Sequence, residues 1–210
     1  MGIPVLVMGK SGSGKSASLR GFEPGEVGII NVLGKELPFK NKHKMVVSSN
    51  YEKIQDVLYK AKIDVIFIDD AGYLLTTEFM RRAKEKGYDK FTELAQNFYM
   101  LIEFIQHSLP EGKIVFLAMH EDERDSGSIH PKTIGRMLDE KVCVEGLFTI
   151  VLRATKIKND YVFVTRTDGL DVTKTPMGMF ENTHVPNDLK LVTNAIKKYY
   201  ETGEETNEEN

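Results

Sequence analysis

The chain has 210 residues, 41% hydrophobic and 28% charged, ordinary proportions for a soluble globular protein and enough length for one α/β domain with its own core. No apolar run approaches the ~18 residues of a membrane span, and a single cysteine, Cys143, excludes an internal disulfide. The net charge of −3 is uneven: Glu201, Glu204, Glu205, Glu208 and Glu209 crowd the last ten residues, and the rest of the chain is slightly positive.

Ile3-Pro4-Val5-Leu6-Val7-Met8 reads as a short buried strand. Gly9-Lys10-Ser11-Gly12-Ser13-Gly14-Lys15-Ser16 then fits G-x-x-x-x-G-K-[ST], the phosphate-binding loop. The chemistry explains the residue types. Gly9, Gly12 and Gly14 let the backbone bend tightly and turn its N–H groups inward. Ala17 and the residues after it can open a helix, whose start favours negative charge. Lys15 is expected in an otherwise empty loop, ready for the β- and γ-phosphates of ATP, with the Ser16 hydroxyl on Mg²⁺.

A turn at Pro24-Gly25 leads to a strand over 27–32, a loop over 34–39 and a short strand at 45–47. Ser48, Ser49 and Asn50 offer N-caps for a helix through about Lys62. Asp64-Val65-Ile66-Phe67-Ile68-Asp69-Asp70 is a buried strand ending in two carboxylates. Such an end lies at the ligand edge of an open α/β sheet, and Asp69 is placed to hold Mg²⁺.

A helix is expected from Tyr73 to Ala83, then a basic connection, then a helix over 91–108. The apolar stripe of that helix is Leu94, Phe98, Leu101, Ile102 and Ile105, with Tyr99 and Met100 also read as core. The strand 113–119 delivers His120 to the same edge, to sense a γ-phosphate or hold water. Residues 121–132 lack periodicity and read as a mobile loop. A helical turn is expected at 133–138, then two strands, 147–156 and 161–165, forming a C-terminal β-hairpin. A closing helix over 186–200 and a disordered acidic tail at 201–210 complete one domain, 1–200. Cys143, between Val142 and Val144, reads as a small buried residue. With no basic segment ahead of a hydrophobic one at the start, a cytoplasmic setting is expected.

With those motifs in order, the chain resembles the small phage-encoded P-loop ATPases with a RecA-like core, of the single-strand annealing and recombination type. The resemblance spans roughly residues 3–180. It rests on MGKSGSGKS, GIINVLGKELPF, DVIFIDD, FLAMHE and KTPMGMF. It implies a RecA-like P-loop NTPase fold with a mostly parallel sheet flanked by helices. It also implies ATP and Mg²⁺, homo-oligomers on single-stranded DNA, a single-strand binding protein as partner, and the host cell cytoplasm.

Such ATPases carry a catalytic glutamate soon after the second strand. Here Val32 and Leu33 occupy that neighbourhood and Glu36 is the nearest carboxylate. Asp70 is the competing base, favoured because a strand end is held more rigidly than a loop. A ring or filament would place ATP between subunits, with Lys174 or Arg166 reaching it from the neighbour. Arg81, Arg82, Lys84, Lys86 and Lys90, with Tyr88 among them, are the candidate DNA contacts. Two other functions compete: a nucleotide-gated binding module, such as a helicase loader or packaging-motor relative, and a small-molecule nucleotide kinase. Only Arg124 and Lys132 stand among four acidic residues at 121–132, a poor lid for a kinase.

Overall fold

A computed structural model describes residues 1–40, 43–135 and 137–201. The central apolar runs become parallel strands because they are buried on both faces, while β3 at the sheet edge is only half-buried. In chain order these are β1 (Ile3–Gly9), β2 (Gly28–Asn31), β3 (Met45–Val47), β4 (Val65–Asp69) and β5 (Ile114–Glu123). Then come β6 (Ile129–Pro131), β7 (Ile150–Ile157), β8 (Asp160–Val164) and β9 (His184–Pro186). The sheet order is β3-β2-β4-β5-β1-β7-β8-β9, with β6 beside β5. From β3 to β7 every pairing along that path is parallel; β8 and β9 close the edge as antiparallel strands.

Alternation along β1 divides the core. Leu6 and Met8 face a layer built by α1 (Tyr51–Lys60), α2 (Tyr73–Arg81) and α3 (Asp89–Ser108). Val5 and Val7 face the other layer, with Leu19 and with Leu189, Val192 and Ile196 of α4 (Leu189–Glu201). The fold is therefore mixed α/β, a mostly parallel sheet flanked by helices. The expected C-terminal hairpin is β7–β8, turning at Lys158 with φ 55°. Among the described residues no helix is long and apolar enough to cross a membrane.

The helix caps follow the sequence closely in one place. Asn50 Oδ1 accepts the Lys53 N–H at 2.8 Å, so it is Asn50 that caps α1. The stripe of α3 is fully buried, but Met100 beside it is exposed and Tyr99 turns its hydroxyl to Glu103 at 3.1 Å.

Five further expectations change. Residues 121–132 are not one free loop: β5 continues to Glu123 and pairs with β6. Backbone bonds explain it, since Ile129 N–H reaches the Leu170 carbonyl and Lys132 N–H the His120 carbonyl. The segment after the phosphate-loop motif is a six-residue 3-10 helix, Ser16–Gly21, which ends where Phe22 turns extended before Pro24-Gly25. Pro186 ends β9 rather than opening a helix, and α4 starts three residues later. The helical turn near 133–138 falls at Met137–Val142 as a π-helix. Cys143 is exposed, in a left-handed conformation that turns its side chain out between its buried and half-buried neighbours. The acidic tail, from residue 202 on, lies outside the described residues.

Candidate functional site

The parallel register gathers the motif residues on one edge. Gly9 at the end of β1 lies beside His120 of β5, and Asn31 at the end of β2 lies beside Asp69 of β4. A single strand, β5, separates the strand that enters the glycine-rich loop from the strand that ends in Asp69. That places His120 between the two, at the carboxyl edge where open α/β sheets bind ligands. A cavity of about 930 Å³ opens at the opposite edge, lined by Gly2, Pro4, Asp64, His107 and Lys197. It holds none of Gly9–Ser16, Asp69, Asp70 or His120, so strand polarity rather than size points to the candidate site.

The loop Gly9–Ser16 folds as its glycines require. Gly12 and Gly14 have φ of 75° and 98°, a region glycine enters without strain. A Cβ at Gly9 would run into Ser13 Oγ and the Ala154 carbonyl. Lys10 and Ser11 are exposed along the outer bend, and Ser13 is buried with no partner for its hydroxyl. An orphaned buried hydroxyl inside such a loop is the kind of group an anion's oxygens satisfy.

Lys15 does not stand in an empty loop. Its ammonium is buried and donates to the Gly9 carbonyl at 2.7 Å and the Lys10 carbonyl at 2.9 Å. The loop's inward carbonyls need a donor, and the lysine supplies it. Burial lowers its proton affinity; Asp70, Asp69 and Glu121 act in the opposite direction. Next along the chain, Ser16 Oγ donates to Asp69 Oδ1 at 2.8 Å, and Ala17 continues into the 3-10 helix. Burial raises the Asp69 carboxyl, Ser16 pulls it down, and Asp70 pushes it up again. A hydroxyl and a carboxylate oxygen side by side form a hard-oxygen pair that suits Mg²⁺.

Asp70 has φ 57°, an uncommon setting outside glycine that aims its carboxylate back over the strand end. Asp70 Oδ2 pairs with Lys35 Nζ at 3.1 Å, and Oδ1 lies 3.7 Å from His120 Nε2. His120 packs edge-on against Tyr73, with centroids 5.7 Å apart. Burial, then Lys15, lower the proton affinity of His120, so its neutral form is favoured. Glu36 lies on the exposed loop beyond Lys35 and joins none of these contacts.

Three participants were not singled out from the sequence. Lys35 lies within GIINVLGKELPF and Glu121 closes FLAMHE, but neither motif gave them a role. Arg153 lies outside every motif. Arg153 binds Glu121 in two-pronged fashion at 2.8 and 3.0 Å and lies 3.6 Å from Asp171. This brace ties β5 to β7 on either side of β1, and it keeps Glu121 from acting as a free base.

The remaining candidates lie apart from the loop's own contacts. The Arg166 guanidinium donates to the carbonyls of Phe180 (3.1 Å) and Glu181 (2.6 Å). Lys174 pairs its backbone with Val151 and leaves its side chain exposed. In the basic segment, Arg82 is engaged by Glu78, Glu85 and Glu93. Lys90 donates to the Glu85 carbonyl and sits 5.3 Å from the Phe79 and Phe91 ring centres. Arg81 donates to Ser49 Oγ at 2.9 Å. Lys84, Lys86 and Tyr88 are exposed. Compared with protein-family models and with curated proteins, the chain matches none.

Proposed function

We propose that the chain is a Mg²⁺-dependent ATP-binding protein and ATPase with a RecA-like P-loop core, acting with single-stranded DNA in phage recombination or replication. The observation that carries the nucleotide reading is the Ser16–Asp69 hydrogen bond beside a glycine loop with Lys15 seated in it. A cation held by those oxygens supplies positive charge to phosphate oxygens. The chain's own residues do the rest. Gly9–Ala17 cradle the phosphates, Lys15 turns from its carbonyls to them, and Ser16 and Asp69 orient the metal. Asp70 and His120, together at the same strand edge, are the residues proposed to partner an attacking water.

The DNA part rests on the resemblance and on the basic segment 81–90. Homo-oligomerisation, with Lys174 or Arg166 completing a neighbour's site, and cooperation with a single-strand binding protein belong to the same reading.

One observation favours a second reading, a nucleotide-gated binding module with slow turnover. Asp70 and Glu121, the carboxylates around the loop besides Asp69, are both held in ion pairs. A single assay separates the alternatives: ATP hydrolysis with and without single-stranded DNA, beside a panel of nucleoside monophosphates. Stimulation by DNA alone supports the ATPase. Nucleotide binding with no turnover supports the module. Turnover that needs a nucleoside monophosphate overturns both in favour of a kinase.

A further inference from the structure

Lys35 reaches the site from a loop that the fold pins down. The Asn31 amide, buried at the end of β2, accepts the Gly34 N–H at 2.7 Å and donates to the Lys35 carbonyl at 2.6 Å. The Lys35 backbone is thus fixed to the same strand edge as Asp69. Its side chain is different: it is 61% exposed, on a stem long enough to swing. At rest its ammonium lies 3.1 Å from Asp70 Oδ2 and 5.3 Å from the centre of the Tyr73 ring.

Two features make that resting place a temporary one. An ion pair this exposed is weakly held. Lys35 is also near enough to the phosphate loop that its charge acts on Lys15 and on His120. A terminal phosphate carries more negative charge than one carboxylate, in oxygens that accept several donors. A diphosphate lacks that group and leaves Lys35 where it is.

We propose that Lys35 reads the terminal phosphate: it rests on Asp70 while the loop is empty or holds a diphosphate, and moves to the γ-phosphate of a bound nucleoside triphosphate. The move leaves Asp70 with His120 as its remaining partner, so the carboxylate is released only when a triphosphate is present. Arrival of the substrate and release of the candidate base become one event. The inference rests on the nucleotide reading of the loop above.

The test is calorimetric binding of ADP and of a non-hydrolysable β,γ-imido ATP analogue, with Mg²⁺, to the full chain and to Lys35→Gln and Lys35→Arg. Lys35→Gln is expected to weaken the triphosphate about tenfold, as for loss of one charge-assisted contact, and to leave ADP within about twofold. Lys35→Arg should recover most of the loss. Melting temperatures of the variants check the fold. Equal loss for both nucleotides, or an unchanged triphosphate-to-diphosphate ratio, overturns the proposal while the nucleotide site stands. A wild-type chain that binds neither nucleotide overturns the reading of the loop and the Lys35 inference with it.

Discussion

Ser16 Oγ donates to Asp69 Oδ1 across 2.8 Å, joining two residues 53 positions apart in sequence. The contact exists because β4 and β1 run parallel with β5 between them, so their carboxyl ends share one edge. A buried carboxylate is costly even with the Ser16 hydroxyl and the Asp70 backbone N–H donating to it, and burial pushes its proton affinity up. A cation at that oxygen pair relieves that cost. Mg²⁺ should therefore tighten triphosphate binding in the wild type. Asp69→Asn should lose about tenfold or more of that increment and keep most of the metal-free affinity. Ser16→Ala should behave alike but more mildly. Titrations with and without a chelator read the difference, and an intact Mg²⁺ increment in Asp69→Asn removes Asp69 from the metal site.

Lys15 carries a structural role beside its proposed chemical one. Its two hydrogen bonds satisfy carbonyls of Gly9 and Lys10. Lys15→Ala should then do two things at once. Nucleotide binding should fall by about 10²-fold or more, the scale of a lost charged contact in a closed loop. Stability should fall by about 1–3 kcal/mol, because two carbonyls lose a charged donor. Chemical denaturation reads the second effect without any ligand. A variant as stable as wild type would mean that water serves those carbonyls equally well.

How much of this was legible beforehand follows from the range of each interaction. The loop and the strand ending in Asp69 were readable because glycine positions and apolar runs are local. Their meeting followed from strand polarity. Lys35 was hidden because its place depends on Asn31, whose buried amide holds the 31–35 turn, and no pattern marks that amide. The β5–β6 hairpin was hidden for a similar reason. Its sequence is polar, and the carbonyls that order it belong to Leu170 and His120. Arg82 looked like a free cation in the sequence because two of its three carboxylates, Glu78 and Glu93, lie on the flanking helices.

Asp70 and Glu36 divide the question of the base. The structure gathers Asp70 with His120 and Lys35, while Glu36 stays on the exposed loop. Asp70→Asn should cut turnover about 10²-fold or more at near-unchanged ATP affinity, and Glu36→Gln should change it little. Steady-state rates for the two amides decide. Equal, mild effects would mean that neither acts as base.

Acid stability should report on the contact between β6 and the turn before β7. His130 Nδ1 lies 2.9 Å from Glu145 Oε1, and His130 Nε2 lies 3.2 Å from Ser128 Oγ. Burial raises the Glu145 carboxyl, but a backbone N–H, His130 and Cys143 together hold it below its ordinary 4.5. A carboxyl lowered in the folded state stabilises above its unfolded value and loses that contribution as pH falls through the folded one. Stability should therefore drop as pH falls below about 4.5, more steeply in wild type than in Glu145→Gln. Urea midpoints from pH 7 to pH 3 measure this. Parallel curves for the two proteins would show that Glu145 contributes no such term.

The basic segment separates into structural and available cations. Arg82 is held by Glu78, Glu85 and Glu93, and its guanidinium is correspondingly harder to deprotonate. Those carboxylates also repel a phosphate backbone. Lys84, Lys86 and Tyr88 project outward from the same turn, with Tyr88 89% exposed. If the segment binds single-stranded DNA, the exposed three should carry it. Lys84→Ala with Lys86→Ala should flatten the dependence of log affinity on log salt by about 1.4, some 0.7 for each lost phosphate contact on a single strand. Tyr88→Ala should cost about 1–3 kcal/mol by removing a stacking face, with the salt slope unchanged. Arg82→Ala should instead lower the melting temperature, since it frees three carboxylates that now share one cation, and should leave the slope nearly intact. Salt titrations of a fluorescent oligonucleotide read all three variants. A slope that falls for Arg82→Ala and holds for the lysine pair would reverse the assignment, and placing the DNA contacts elsewhere would follow if none of the three changes affinity or slope.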